Sequence, residues 1–534
     1  MEVIIMTEIA FQWMAHHEGA IPPAGQGKRI STYNVALEGW RRGLQLDFYG
    51  VIEDKSKLKL RYSLSNGERT HHFQLSMGDK VTKEAFDICD NKELTKQYLR
   101  KLNVPVPEGK MFTNKSDKKE IGDYAEKIGF PVVLKPTDGN AGKGVFANIQ
   151  DRESLLSLVD HVQNELGFKE ILVERFIQGN EYRIFVIEDR VLGAMIRRPA
   201  SVLGDGVHTI SQLIDKKNKI RKTNPHLTSR LIKVDREVID LLNRSDYSLK
   251  SIPEKGARIY LRTKSNLSAG GDSIDVTDQL TPELKEIVIN AGKAIPGLAH
   301  YGVDMIVDEE RNTGTILEVN ARPGIGGHMF PVEGQPRDFA KEIIDFYFPE
   351  TKNVVRSPLY FDFDTIIEPI INRQVRRTQV MKTPVGPFYG KELILTGIVQ
   401  NVGFQTWSRR QALNRGLHGH FENLEDGRIR IRIMGTDKEL LEEFKAACYT
   451  GPYKAEVKDL EENEWNKPIL LGYEVIKAHT NLSKRQIRNL ARNIERLEKE
   501  KARAVERYQH LLNRRTWRYT EPLRKVAKKI LKRS

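Results

Sequence analysis

The sequence predicts an α+β protein: a central domain of alternating strands and helices, a small ferredoxin-like sandwich, and a basic helical tail. Three observations predict it. Between about residues 86 and 350, short apolar runs such as FPVVLKP and EILVERFI alternate with helical patterns. Residues 386–476 read strand, helix, strand, strand, helix, strand, the order of a ferredoxin-like sandwich. The net charge of +14 is confined to one end: residues 481–534 hold 18 Lys/Arg and 5 Asp/Glu, and the other 480 residues hold 68 and 67. A near-neutral body is not that of a phosphate-backbone reader, so nucleic acid is excluded as the expected partner.

A chain of 534 residues suggests three or four domains. With 39% hydrophobic and 30% charged residues it is too apolar for wholesale disorder. It holds no run of about 18 apolar residues, so no membrane-spanning helix is expected. The opening MEVIIMTEIAFQWMAHHEG lacks a basic n-region and a small-residue cleavage site, so secretion is not expected. Two cysteines, Cys89 and Cys448, exclude a disulfide scaffold and a cysteine-based zinc site, and fit a cytoplasmic location. No repeat of 20–50 residues is visible.

Texture divides the chain into an N-terminal α/β region (1–85), the central domain (86–350), a connector (351–385), the small domain (386–476) and the tail (480–534). In the first, TYNVALEGWRRGLQLDFYGVI reads as a helix followed by a strand. The central domain opens with DNKELTKQYLRKLNVPVPEG, where Asp90 is expected to start a helix. Next comes VVLKPTDGNAGKGV: a buried strand, Lys135, then Gly139, Gly142 and Gly144. Glycines let backbone N–H groups close on phosphate oxygens, and a strand-end lysine adds a point charge. The spacing is not that of a Walker loop, and taken alone it also describes a glycine-rich hairpin turn. VERFIQGNEYRIFVI joins two strands and carries Glu174 and Glu181, which alone also read as solvated strand-edge carboxylates.

GVDMIVDEERNTGTILEVNARPG places Asp304 inside one apolar strand, with Glu318 and Asn320 two apart on the next and so on one face. Two carboxylates and an amide oxygen from adjacent strands suit a hard cation such as Mg²⁺. A strand pair salt-bridged to Arg322 is the alternative, since a carboxylate in an apolar strand must be paired or metal-bound.

The order Lys92, Lys135 with its glycines, Glu174–Ile177, Glu181, Asp304, Glu318–Asn320 resembles the ATP-grasp superfamily. RRPASVLGDGVHTISQLI, IPEKGARIYLRTKSNLSAGGDSIDVTDQL and ILEVNARPGIGGHMFPVEGQPR are similar to the ligase domain of cyanophycin synthetases and to the glutathione-synthetase half of fused bacterial glutathione enzymes. The resemblance covers about 85–350. It implies that Lys92 and Lys135 hold ATP phosphates beneath a flap of Gly139–Gly144. Glu174, Phe176 and Ile177 would meet adenine, and Glu181 the ribose. Asp304, Glu318 and Asn320 would hold Mg²⁺ or Mn²⁺. Arg197 and Arg322 would act on the transferred phosphoryl group and the acyl phosphate, and Asn266–Gly271 would line the acceptor site. The implied reaction joins a carboxylate, from an amino acid or another acid, to an amine through an acyl phosphate. His208 and His328 are read as structural. The second catalytic module of those relatives has no counterpart here, so their amino acid specificity does not carry over.

In the small domain, TGIVQNVGFQTWSRRQALNRGLHGHFENLEDGRIRI resembles acylphosphatase. The family's cradle reads VQGVGFR. Here Asn401 stands for the glycine and Gln405 for the arginine, while Asn423 matches the asparagine that orients water. A neutral Gln405 cannot make the bidentate, charged phosphate contact, so hydrolysis is not the expected activity. An acyl-phosphate hydrolase and an ATP-binding scaffold are the two competing readings.

In the tail, Ile487, Leu490, Ile494, Leu497, Ala504, Tyr508 and Leu511 form a short heptad stripe interrupted by Lys501, compatible with a coiled coil or a single surface helix. Together with the relatives, it favours a homo-oligomer. After Pro522 an apolar face is ringed by Lys and Arg, as in a membrane-surface helix or a solubilising tail. TWRYTEPLR is similar to the SWRLTxPLR tail of envelope-polysaccharide enzymes, which implies work at the inner membrane face on an envelope-polymer precursor.

Overall fold

The computed structural model describes residues 13–53, 57–137 and 144–476. The first unit is built around a helix with no exposed face. All residues of α1 (Ile30–Arg41) are buried. Tyr33 and Trp40 pack against Phe361, with ring centroids 5.2 and 5.3 Å away. The charges are buried with partners: Arg41 Nε donates to the Leu359 carbonyl at 2.7 Å, and Arg42 pairs with Glu38 and Asp345 at 2.6 Å. The helix lies on an antiparallel sheet of β1 (Gln45–Glu53), β2 (Lys57–Ser65), β3 (Thr70–Gln74) and β4 (Met77–Gly78). A fifth strand, Arg377–Gln379, pairs with β1 through Asp47↔Gln379. Phe361, Phe363 and Ile367 of the same distant segment share a core with Trp40, Phe48 and Tyr62.

Helices α2 (Lys83–Asp90) and α3 (Lys92–Lys101) meet at Asn91, whose side chain accepts from the Leu94 N–H at 3.0 Å. Asp90, expected to open a helix, instead ends α2. Asn91 is the cap because its extended backbone aims its side-chain oxygen at the free N–H groups of α3.

Two antiparallel sheets follow. β5 (Gly109–Thr113), β6 (Val132–Pro136), β7 (Phe146–Ile149) and β8 (Glu170–Arg175) are ordered β5-β8-β6-β7. Helices α4 (Lys118–Ile128) and α5 (Arg152–Asp160) cover one face through Ile121, Ala125, Leu155 and Val159. The chain then crosses to β9 (Asn180–Ile187) and β10 (Arg190–Arg198) of the second sheet. An excursion of β11 (Ser201–Leu203), α6 (Ile210–Thr223), α7 (Arg236–Arg244) and β12 (Arg258–Tyr260) closes its own small core around Val202, Ile210, Leu242 and Leu261. β13 (Asp272–Asp275), β14 (His300–Asp308) and β15 (Thr313–Asn320) complete the order β13-β10-β9-β14-β15, backed by α8 (Pro282–Lys293).

Short α9 (Gly326–Met329) and α10 (Phe339–Tyr347) return the chain to the first unit, which β16 (Leu359–Tyr360), α11 (Phe363–Ile371) and β17 (Arg377–Gln379) finish. The small domain comprises β18 (Tyr389–Ile398), α12 (Phe404–Asn414), β19 (His418–Asn423), β20 (Ile429–Gly435), α13 (Lys438–Thr450) and β21 (Glu456–Glu464), with sheet order β21-β18-β20-β19. This is the ferredoxin-like sandwich the sequence predicts. β22 (Ile469–Leu470) pairs parallel with β16, and β23 (Tyr473–Ile476) adds a fifth strand beside β19. Both cysteines are free and buried, and burial pushes the Cys89 thiol up to about 12. No helix among the described residues is long and apolar enough to cross a membrane. The tail lies outside the described residues.

Two consequences are measurable. Phe361→Ala should remove about 3–5 kcal/mol of stability, read as a lower urea midpoint, because this ring holds α1 from a segment over 300 residues away. An unchanged midpoint would show that 359–380 does not hold the first unit together. The second concerns acid. His300 and His328 are wholly buried, and burial pushes them down to about 4 and about 3. Between the unfolded value of about 6.5 and those values only the unfolded chain takes up the protons, so stability falls as pH drops through that window, by a few kcal/mol in order of magnitude. Urea titrations at pH 7 and 4.5 should show a smaller acid loss for His300→Gln than for the wild type, and equal losses would refute the assignment.

Candidate active site

The site lies at the seam between the two central sheets. From the first sheet, Lys135 at the end of β6 places its Nζ 2.7 Å from one oxygen of Glu174 on β8. Lys96, from α3, takes the other oxygen of Glu174. Burial, with Lys92 adding repulsion, pushes Lys135 down to about 8. Burial and the neighbouring Lys135 push Lys96 down to about 6. Three neighbouring lysines, two of them sharing the single carboxylate of Glu174, make this strand end electropositive, which favours a negative ligand. Lys96 was not among the sequence candidates. It stands four residues after Lys92, hence on the same face of α3, which is the signal that could have found it.

The second sheet supplies the carboxylates. Pairing sets Asp304 of β14 opposite Glu318 of β15 on one side and Arg183 of β9 on the other. Arg183 Nη1 reaches Asp304 Oδ2 at 2.7 Å. Arg197, from β10, reaches Asp304 Oδ1 at 3.1 Å and Glu181 at 2.9 Å. Burial alone would raise Asp304. The two guanidinium groups overcome it and hold the carboxyl below its usual range. Glu318 goes the other way, raised by burial and by the Asp304 charge. Glu181 is also raised, mainly by burial. Turned so that its oxygen accepts from Arg183 at 2.8 Å, the Asn320 amide donates to Glu318 at 3.0 Å. Arg183 too escaped the sequence analysis. It shares a strand face with Glu181, two residues away.

The alternative of a salt bridge to Arg322 gives way to Arg183 and Arg197. Arg322 lies just beyond β15 with its guanidinium 4.4 Å from the Phe86 ring centroid. The donor set fits a divalent cation. Two carboxylates and an amide offer hard oxygens, and burial together with the Asp304 charge raises Glu318, which a bound cation would offset. Among the described residues no cluster of three or more His, Cys or carboxylate groups converges, so phosphate oxygens and water would complete the shell. The seam opens into a cleft of about 850 Å³ lined by Lys92, Glu318, Asn320 and Arg322.

Phe176 and Ile177 lie in the crossing between the sheets, where the Phe176 N–H donates to the Pro131 carbonyl at 3.0 Å. Gly144 has φ +73°, and a Cβ there would meet Pro136 at 2.9 Å, so glycine is required. Gly139 and Gly142 lie outside the described residues. Within Asn266–Gly271, the Gly271 N–H returns to the Asn266 carbonyl at 3.1 Å, and neighbouring Ser265 reaches Glu181 at 3.4 Å. His208 pairs with Asp205 at 2.7 Å. His328 stacks on Phe339 with centroids 4.5 Å apart.

In the small domain the turn between β18 and α12 forms although its sequence departs from the VQGVGFR pattern. Asn401 has φ 60° and Gly403 φ 83°. Asparagine tolerates this left-handed conformation, so the turn forms without the family's glycine. Gln400 Nε2 donates to the carbonyls of Leu424 and Arg428, both at 2.8 Å, tying the turn to the β19–β20 connection. Gln405 is exposed on the first turn of α12, and Asn423 ends β19. Position 405 carries no charge.

Residues 89–246 match the RimK-like ATP-grasp domain and residues 391–473 the acylphosphatase domain. The chain is 35% identical over 335 residues to the glutathione biosynthesis bifunctional protein GshAB of Clostridium perfringens, covering 60% of this chain and 41% of that protein. It is 36% identical over 269 residues to the cyanophycin synthetase of Synechocystis sp., covering 49% of this chain and 30% of that one. A crystal structure of a bifunctional glutathione synthetase from Pasteurella multocida aligns with a TM-score of 0.45 and 28% identity, covering 57% of this chain and 41% of that one. The chain thus spans less than half the length of these relatives. It carries a RimK-like ATP-grasp domain followed by an acylphosphatase domain.

Proposed function

We propose that this chain is an ATP- and Mg²⁺-dependent ligase that joins a carboxylate to an amine through an acyl phosphate. One observation carries the reading: Lys135 of the first sheet and Lys92 of α3, which packs against β15, are electrostatic neighbours of Glu318 on the second sheet, so phosphate-binding cations and cation-binding oxygens meet at one seam. The likeness to a glutathione biosynthesis bifunctional protein and to cyanophycin synthetase supports it.

In this reading Lys92 and Lys135 hold the ATP phosphates, with Glu174 fixing the Lys135 ammonium, and Glu181 meets the ribose. Asp304, Glu318 and Asn320 hold Mg²⁺, which when bound supplies positive charge to the phosphate oxygens. The substrate carboxylate attacks the γ-phosphorus, ADP leaves, and the acyl phosphate forms. The amine nitrogen then attacks the acyl carbon, phosphate leaves, and the amide remains after loss of a proton. Arg197 and Arg322 stabilise negative charge on the moving phosphoryl group, so positioning and electrostatics carry the reaction without a side-chain nucleophile. The tail, by its sequence alone, supports docking on an anionic membrane surface beside an envelope-polymer precursor, and its heptad stripe supports self-association. Co-sedimentation with anionic vesicles and size-exclusion chromatography test these two extensions.

ADP release with Mg²⁺, ATP and pools of carboxylates and amines tests the reaction. Turnover should require both substrates and fall at least about a hundredfold in Glu318→Ala. Turnover that persists in the variant, or that needs no amine, would overturn the reading. In the Glu318→Ala background the chain should hydrolyse benzoyl phosphate poorly. Gln405→Arg, which restores the missing guanidinium to the intact turn, should raise that rate by about 10²–10³-fold. Fast hydrolysis before the substitution would instead favour the hydrolase reading.

A further inference from the structure

The cleft beside Glu318 extends well beyond the ATP-grasp lobes. Its far lining comes from the first unit: Arg29 before α1, Lys59 on β2 and Gln74 on β3. Counting the whole lining, five lysine and arginine side chains face two carboxylates, Asp90 and Glu318. Arg29 and Lys59 are exposed to the cleft and form no ion pair among the described residues. Gln74 lines the same wall and adds an uncharged amide to it. Like charges gathered in a concave surface focus a potential that draws in an anion.

We infer that this cleft binds the acyl-donor substrate as a dianion: a carboxylic acid bearing a second carboxylate or a phosphate group. The reacting carboxylate lies toward Glu318, Asn320 and Arg322. The second anionic group is held by Arg29 and Lys59 and hydrogen-bonded by Gln74. This rests on the ligase reading. It goes further in naming the substrate class and in assigning its selection to residues outside the ATP-grasp domain. One carboxylate in contact with Arg322 leaves the first unit's cations uncompensated, and a second anionic group compensates them.

Hydroxylamine makes the donor testable without knowing the amine. It attacks an acyl phosphate to give a hydroxamate and release phosphate. The full chain with Mg²⁺, ATP and hydroxylamine is offered dicarboxylates, phosphorylated carboxylates, and the matching monocarboxylates and half-amides. Hydroxamate should form only from dianions, and the better of the two dianion classes names the second group. Arg29→Gln and Lys59→Gln should each raise the KM of that dianion roughly ten- to a hundredfold, the loss expected for one charge-assisted contact, while the KM for ATP stays unchanged. Equal use of monocarboxylates, or an unchanged dianion KM in both variants, overturns the inference and leaves the ligase reading standing. If no carboxylate yields hydroxamate, the ligase reading fails and thermal shifts with the same panel decide the binding claim. A dianion that raises the melting temperature of the wild type but not of Arg29→Gln upholds it. No shift, or the same shift in both, overturns it.

Discussion

The interior of the active seam is governed by one constraint: a charge held away from water needs a partner. Asp304 sits inside an apolar strand and stays ionised because Arg183 and Arg197 close on both of its oxygens. Glu174 is matched in the same way by Lys96 and Lys135. The two clusters are not balanced alike. On the lysine side, burial and the neighbouring Lys92 lower Lys135, and on the other side burial and the Asp304 charge raise Glu318. A nucleotide triphosphate with a divalent cation carries the complementary pair of charges. On the proposed reading, binding both offsets the repulsion on each side.

Backbone register is what brings these groups together. Because β14 lies between β9 and β15, a single residue, Asp304, faces an arginine on one neighbour and a glutamate on the other. A slip of one residue along either pairing would turn the whole set to the opposite face. The apolar residues of the same strands, Val303 and Met305 among them, are wholly buried and make such a slip expensive. Core packing therefore fixes the site's geometry before any ligand arrives.

How much of this was legible depends on how local the information is. Glu318 and Asn320 could be placed on one face from their spacing alone, because strand period is a two-residue property. The strand–helix order of the small domain was legible for the same reason. Arg183 was not singled out: within RIFVI it reads as an ordinary strand residue, and only the pairing of β9 with β14 reveals its role. Asp90 and Asn91 are both good helix caps, and which one caps depends on where α2 stops. The fifth strand of the first sheet lies some 330 residues from its partner, and no local pattern reports such a contact. The far wall of the cleft was hidden for that reason too, since Arg29, Lys59 and Gln74 gain meaning only once the first unit meets the segment that follows β15.

The two domains make opposite demands on one chemical species. On the proposed reading the ATP-grasp lobes form an acyl phosphate and must keep it from water until the amine attacks. An efficient acylphosphatase in the same chain would destroy that intermediate and turn the pair into an ATP hydrolase. The small domain keeps the backbone turn at Asn401–Gly403 but has a neutral Gln405 where its family has a guanidinium. Stripped of that charge, the turn can still present N–H groups to an anion but lacks the group that would stabilise an attacked phosphoryl. Its strand β22 pairs with β16 of the first unit, so the domain is built into the chain's framework. On the proposed reading, a neutral residue at position 405 is what allows this fold to share a chain with an acyl-phosphate intermediate.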